Sequence, residues 1–198
     1  MTDKRLNKVV KVVSARQKGL TVVLENVHDP HNVSAVIRTA ESVGIDKIYL
    51  IYNKEKFPRI SRVSSASAKK WVDVEKFYSV EDCYKKLRQD KFKIYSTYMW
   101  EDDKKNVSLY SLDLTKNVAL VFGNEHRGVS DEARSLADKN FLIPMKGFVQ
   151  SLNISVSVAV TLYEALRQRE QKGMYEKSKY TKKELKTKLE YYLNKSKK

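Results

Sequence analysis

Five consecutive apolar residues, Val118-Ala119-Leu120-Val121-Phe122, run directly into Gly123-Asn124-Glu125-His126-Arg127-Gly128. A run this short, apolar at every position and closed by glycine, reads as a buried strand rather than a helix. The same event recurs downstream. Asn140 to Ile143 reads as a strand stopped by Pro144, and a polar turn, Ser151-Leu152-Asn153, precedes the nearly all-apolar run Ile154–Leu166. Twice, then, a strand ends in a polar loop, and such loops at strand ends are where α/β proteins keep their sites.

The rest of the chain follows this grammar. Leu6, Val9, Val10 and Val13 fall at i, i+3, i+4 and i+7, predicting an N-terminal amphipathic helix with a basic outer face that Gly19 ends. Leu20 to Leu24 predicts a strand, and Asn32 an N-cap. Val33, Val36, Ile37 and Ala40 mark a helix closed by Gly44, and Ile48 to Tyr52 the next strand. That is a βαβ unit, which implies parallel strands. Val72–Phe77 and Phe92–Thr97 read as further strands, Val80–Gln89 as a helix, and Asp131–Ala137 as a helix capped by Ser130. Residues 60–70 read as partly helical, and Trp100 to Leu114 takes no assignment. Ile154–Arg169 reads as a long helix, and Thr181 with Glu184 forms a capping box for a last one.

Composition narrows the partners. With 198 residues, 41% of them hydrophobic, the chain is long enough for one domain with a full core and a small appendage. The single cysteine, Cys83, permits no intramolecular disulfide. No apolar stretch follows the first residues as in a signal peptide, and none approaches the roughly 18 apolar residues of a membrane span. A cytoplasmic location is the expectation. The net charge is +15, concentrated at the ends. Residues 1–19 carry six basic residues against Asp3, and residues 172–198 carry ten lysines against three glutamates, flanking a nearly balanced middle. Such ends suit a polyanion, nucleic acid above all; a merely lysine-rich surface is the plainer alternative.

Several motifs point to chemistry, each with a bland counterpart. Asn32, His31 and Arg38 sit where a helix leaves the carboxyl end of a strand and can meet a phosphate or a reacting hydroxyl. Equally, Asn32 can be an ordinary cap and Arg38 a surface partner of Glu41 at i+3. Gly123 to Gly128 has the spacing of a phosphate loop, but Val129 stands where the lysine belongs, which excludes nucleoside-triphosphate hydrolysis. His28, His31 and His126 are the only histidines, too few ligands for a zinc site, so no metal is expected. Ser151 lacks the context of a hydrolase nucleophile. The Ile154–Leu166 helix is apolar almost all round, which fits either a subunit interface or a central core helix.

Taken in order, three of these motifs resemble one family. They are Asn32-x5-Arg38; Val121-Phe122-Gly123-Asn124-Glu125-x-x-Gly128; and Ile143-Pro144-Met145 followed by Ser151-Leu152-Asn153-Ile154-Ser155-x-Ser157-x-Ala159. The chain is similar over residues 20–170 to the SpoU/TrmH branch of the SPOUT RNA 2′-O-methyltransferases. The resemblance implies an α/β fold, a mostly parallel sheet with helices on both faces and a C-terminal trefoil knot. It divides the chain into a basic helical arm (1–19), a methyltransferase domain (20–171) and a second basic arm (172–198). It implies S-adenosylmethionine held by the loops of Thr97, Gly123, Ile143, Met145 and Leu152, and a homodimer through the Ile154–Leu166 helix.

The resemblance also assigns roles. Arg38 matches the catalytic arginine and Asn32 a positioning asparagine, with Glu125, Ser151 and Asn153 shaping the pocket. Whether Arg38 acts as base or as stabiliser of a developing alkoxide stays open, since guanidinium seldom gives up a proton. Arg16, His31, Arg167 and Arg169 are expected to hold RNA. The arms and Arg167-x-Arg169 resemble the members that methylate guanosine-18 in the D-loop of tRNA. Methylation of ribosomal RNA and a non-catalytic RNA-binding relative are the alternatives.

Overall fold

A computed structural model describes residues 2–58, 68–98 and 106–197. The elements are α1 (Asp3–Ser14), β1 (Leu20–Glu25), α2 (Pro30–Ser42), β2 (Lys47–Ile51), β3 (Asp73–Phe77), α3 (Val80–Gln89), β4 (Lys93–Thr97), β5 (Asn106–Ser108), β6 (Val118–Phe122), α4 (Asp131–Ser135), β7 (Lys139–Leu142), α5 (Ile154–Gln171) and α6 (Lys182–Lys197).

The strands form one seven-stranded sheet in the order β3-β2-β1-β6-β4-β7-β5, every described pairing parallel. Val23 of β1 sits between Tyr49 of β2 and Val121 of β6, and every residue of β1 and β6 is buried. That is the signature of central parallel strands covered on both faces. Even-numbered β1 residues, Leu20, Val22 and Leu24, pack with Val36 and Ile37 of α2 and Val158 and Leu162 of α5. Val23, with Ile94 and Val121, packs on the other face with Cys83, Tyr84 and Leu87 of α3 and Ala133 of α4.

Since the strands are parallel, the carboxyl ends of β1, β6, β4 and β7 lie along one edge. The loops that follow them, 26–29, 123–130, 97–98 and 143–153, therefore crowd together. The expected partly helical stretch at 60–70 falls largely outside the described residues, leaving a short 3-10 turn at Ala68–Lys70. The unassigned stretch from Trp100 holds the edge strand β5 beyond its undescribed part.

Two local expectations need correction. Gly19 does not end the first helix; Ala15 does, as C-cap. Gly19 has φ +89° and turns the chain into β1, where a Cβ would lie 2.1 Å from Asn117 Oδ1. Nor is Asn32 the cap of α2. Asp29 takes that place, accepting from the His31 N–H at 2.8 Å, with Pro30 as the first helical residue. Asn32 is thereby left with its amide free for other partners.

α1 and α6 pack on each other, so the two basic ends meet. Thr181 and Glu184 cap α6 reciprocally, at 2.8 and 3.2 Å. The terminal region is pinned by two of the three arginines expected to contact RNA, and both are buried. Arg16 is 1% exposed; it donates to the Ile45 carbonyl at 2.8 Å, pairs with Glu41 at 3.2 Å, and lies over the Tyr192 ring. Arg169 is fully buried and donates to the carbonyls of Leu114, Gly19 and Lys116 and to Gln17. Guanidinium carries five N–H donors, and those of Arg169 are taken largely by the protein's own carbonyls.

Candidate functional site

The carboxyl edge of β4, β6 and β7 opens on a cavity of about 390 Å³, within the usual range for small-molecule sites. Thr97, Gly123, Ile143, Met145 and Leu152 all line it, together with Glu125, Ser151 and Asn153. Phe122, Phe141 and Ile154 supply apolar wall, and Tyr98, His126, Arg127 and Gln150, which the sequence did not single out, complete the rim.

The loop after β6 explains why glycine stands at 123. A Cβ there would come within 2.0–2.1 Å of the Gly128–Val129 peptide. The loop closes on itself: Asn124 N–H donates to the Gly128 carbonyl and Gly128 N–H to the Asn124 carbonyl, at 2.9 and 2.8 Å. Gly128 takes φ +67° to permit this. The Asn124 side chain accepts from the N–H groups of His126 and Arg127. So the pseudo-phosphate loop is a compact turn whose N–H groups are largely engaged internally.

Glu125 reaches out of that turn to the neighbouring β1 loop. Its carboxylate accepts from the His28 N–H at 2.9 Å, the Asp29 N–H at 3.3 Å and the Asn32 side-chain amide at 2.8 Å. Burial works against its charge, but the bonds from His28, Asn32 and Asp29 prevail and hold the carboxyl below its ordinary range. Glu125 is therefore an anionic anchor and a poor proton acceptor.

Asn32 in turn accepts from the Asn153 amide at 3.2 Å. Asn153 is also the N-cap of α5, accepting from the Ser155 N–H at 2.8 Å. Three loops distant in sequence are thus joined through Asn32, Glu125 and Asn153. A separate ion pair crosses the same rim: Glu55 accepts from Arg127 at 2.8 Å.

Arg38 stands six residues beyond Asn32 on α2, exposed, with no hydrogen bond or ion pair to any described residue. Glu41, its i+3 neighbour, is engaged by Arg16 instead. His31 is exposed two turns earlier on the same helix, and Arg167 is exposed toward the far end of α5, forked onto Glu164 at 2.8 Å. Among the described residues no acidic, histidine and cysteine groups cluster as a metal site would require, and no helix is long and apolar enough to cross a membrane.

On a parallel α/β sheet, then, a strand-end pocket without a phosphate cradle is bordered by the amide–carboxylate tie of Glu125, Asn32 and Asn153. The SpoU rRNA Methylase family matches residues 19–163, and the chain belongs to that family. It is 40% identical over 186 residues to the Aquifex aeolicus tRNA (guanosine(18)-2'-O)-methyltransferase, covering 92% of this chain and 85% of the relative. A Thermus thermophilus protein of that name is 40% identical over 176 residues, 89% of each chain. The solved A. aeolicus TrmH/SpoU tRNA modifying enzyme superposes with a TM-score of 0.89 at 36% identity, over 98% of this chain and 97% of that one.

Proposed function

We propose that this chain transfers the methyl group of S-adenosylmethionine to a ribose 2′-hydroxyl of tRNA, guanosine-18 of the D-loop. The observation that carries the reading is the tie from Glu125 through Asn32 to Asn153. It couples the helix bearing Arg38 to the wall of the strand-end pocket. The names of the 40%-identical relatives supply the nucleotide.

The pocket suits this cofactor. Its walls are apolar at Phe122, Ile143, Leu152 and Ile154, and its loops carry no lysine aimed at a polyphosphate. Thr97, Gly123, Ile143, Met145 and Leu152 would hold the cofactor, which supplies an electrophilic methyl group when bound.

The chain's own residues do the rest. A 2′-hydroxyl becomes a nucleophile as it loses its proton, and charge then grows on its oxygen. Arg38, exposed and unpaired among described residues, is available to stabilise that charge or to hold the adjoining phosphate. Asn32 is held in one orientation, its amide given to Glu125 and its carbonyl receiving Asn153, and so offers a fixed edge to the ribose. Ser151 lies exposed at the pocket wall. Glu125 keeps its charge and positions the other groups rather than taking the proton.

His31 and Arg167 are the surface candidates for RNA phosphate or ribose, while Arg16 and Arg169 support the fold. Residues 1–19 and 172–198 form basic flanks to a methyltransferase domain at 20–171, joined by α1 and α6. The protein is a homodimer across α5, supported by Val156 at 44% and Tyr163 at 54% exposure, seven residues apart on one face. The loops after β4, β6 and β7 form a trefoil knot, supported by their convergence on one pocket. It works in the cytoplasm. Calorimetric titration with S-adenosylmethionine tests the reading: binding at micromolar cofactor is expected, and no binding at millimolar cofactor would leave a non-catalytic RNA-binding protein.

A further inference from the structure

Glu25 and Asn26, the last residue of β1 and the one after it, are 2% and 5% exposed, and neither lines the pocket. A buried carboxylate in a sheet is costly and needs compensation. One Glu25 oxygen accepts from the Ser130 N–H at 2.9 Å, while the other has no hydrogen-bond partner among the described residues. Asn26 adopts φ +50°, unusual for a residue with a side chain. Its carbonyl accepts from the Asn124 amide at 2.7 Å, and its side-chain oxygen accepts from three successive N–H groups, of Asn53, Lys54 and Glu55. A core whose only task was stability would be served by an apolar residue at 25 and an unstrained one at 26.

What these two residues share is their target. Asn124 opens the loop after β6 and Ser130 closes it. Glu25 therefore holds the exit of that loop and Asn26 its entrance, while Asn26 also fixes the β2 loop whose Glu55 reaches Arg127. Between the two tethers the loop is internally closed, so it moves as one body.

We infer that Glu25 and Asn26 are positioning residues that clamp the 124–130 loop at both ends, setting the distance between the pocket and the α2 helix that carries Asn32 and Arg38. The inference deepens the methyltransferase reading and rests on it for its kinetic consequence. In-line transfer is sensitive to placement, and a shift of about 1 Å costs about 100-fold in rate. The clamp acts chiefly on the chemical step, with a smaller effect on cofactor affinity because residues 123–129 also line the pocket.

The test uses Glu25→Gln, Glu25→Leu and Asn26→Gly in the full chain. Glutamine keeps an acceptor for the Ser130 N–H and leucine removes it at similar volume; glycine accepts the positive φ and keeps the carbonyl that receives Asn124, but deletes the amide that anchors that carbonyl to the β2 loop. Single-turnover methylation of tRNA, cofactor titration and hydrogen exchange at residues 123–130 are measured together. Glu25→Leu and Asn26→Gly should lower the single-turnover rate about 10- to 100-fold. Cofactor Kd and tRNA KM should stay within about threefold, and loop exchange should rise. Glu25→Gln should stay within about fivefold of wild type. Unchanged rate and exchange in Glu25→Leu and Asn26→Gly would overturn the clamp, as would a loss in Glu25→Gln equal to that in Glu25→Leu. Should Glu25→Leu not fold, Asn26→Gly decides alone. Should the wild type itself not methylate tRNA, the failure belongs to the functional reading, and loop exchange still decides the clamp.

Discussion

Arg38 and Arg169 are both helical arginines in a strongly basic chain, and they meet opposite fates. Arg169 is sealed among the carbonyls of Leu114, Gly19 and Lys116. Arg38 projects from α2 without a partner among the described residues. The same contrast runs through the two regions that hold them. At the terminal junction a buried cluster of charge is answered from within: Asp46 receives Arg16, Lys188 and the hydroxyls of Tyr180 and Tyr192. At the carboxyl edge of the sheet, the polar groups are tied to one another just enough to be oriented and still face the pocket. A buried arginine whose donors are taken by the protein's own carbonyls is closed to a substrate, however basic the chain. Net charge alone therefore misleads about which arginines bind RNA.

Substitutions at the two arginines should separate cleanly, and the largest effect is expected at Arg38. Arg38→Ala should lower single-turnover methylation about 10²–10³-fold, as the loss of one stabiliser of developing charge does, with the melting temperature nearly unchanged because the side chain is exposed. Rapid-quench assays with labelled cofactor, read beside thermal melting, measure both. Arg169→Ala should do the reverse. It strips four acceptors of a buried donor and should cost about 3 kcal/mol of stability, with the rate per folded molecule close to wild type. An Arg169→Ala protein that melts normally but binds tRNA poorly would restore that residue to the RNA surface.

The sequence carried the sheet and much of the site, and the reasons it missed the rest are physical. Short, largely apolar five-residue runs bounded by glycine and polar residues read as buried strands, so β1, β2 and β6 are legible to within a residue or so. So were the pocket loops, since they must follow those strands. β5, three residues of mixed polarity at the sheet edge, makes no periodic signal. Asn32 was misread as a cap because apolar periodicity starts at Val33, although Asp29-Pro30 is the stronger start signal. The fate of Arg16 and Arg169 was illegible in principle, since which carbonyls surround a guanidinium is decided by chain segments up to about 150 residues away.

A smaller effect concerns pH. The folded pKa of Glu125 lies below its ordinary value of 4.5. The stability it contributes is thus fully present above that value and lost as pH falls through the folded pKa. Glu125→Gln should be less stable than wild type at pH 7, and the gap should close as the pH is taken below about 4. Denaturant melts at several pH values check this; a gap that widens on acidification would contradict the assigned bonds. The smallest effect is expected at the terminal junction, where Thr181→Ala removes half of the reciprocal cap of α6. It should cost about 1 kcal/mol and leave methylation unchanged, as circular dichroism melts and the same rate assay would report.

The central claim is that Arg38, exposed on the helix that Asn32 ties to the pocket wall, acts on an RNA ribose. Nucleoside mass spectrometry answers it most directly, on unmodified tRNA incubated with S-adenosylmethionine and either the wild-type protein or Arg38→Ala. The account predicts one new 2′-O-methylguanosine, at guanosine-18 of the D-loop, with wild type and almost none with the variant. A methyl mark absent from tRNA, placed on a base instead of a ribose, or formed equally by both proteins would contradict it.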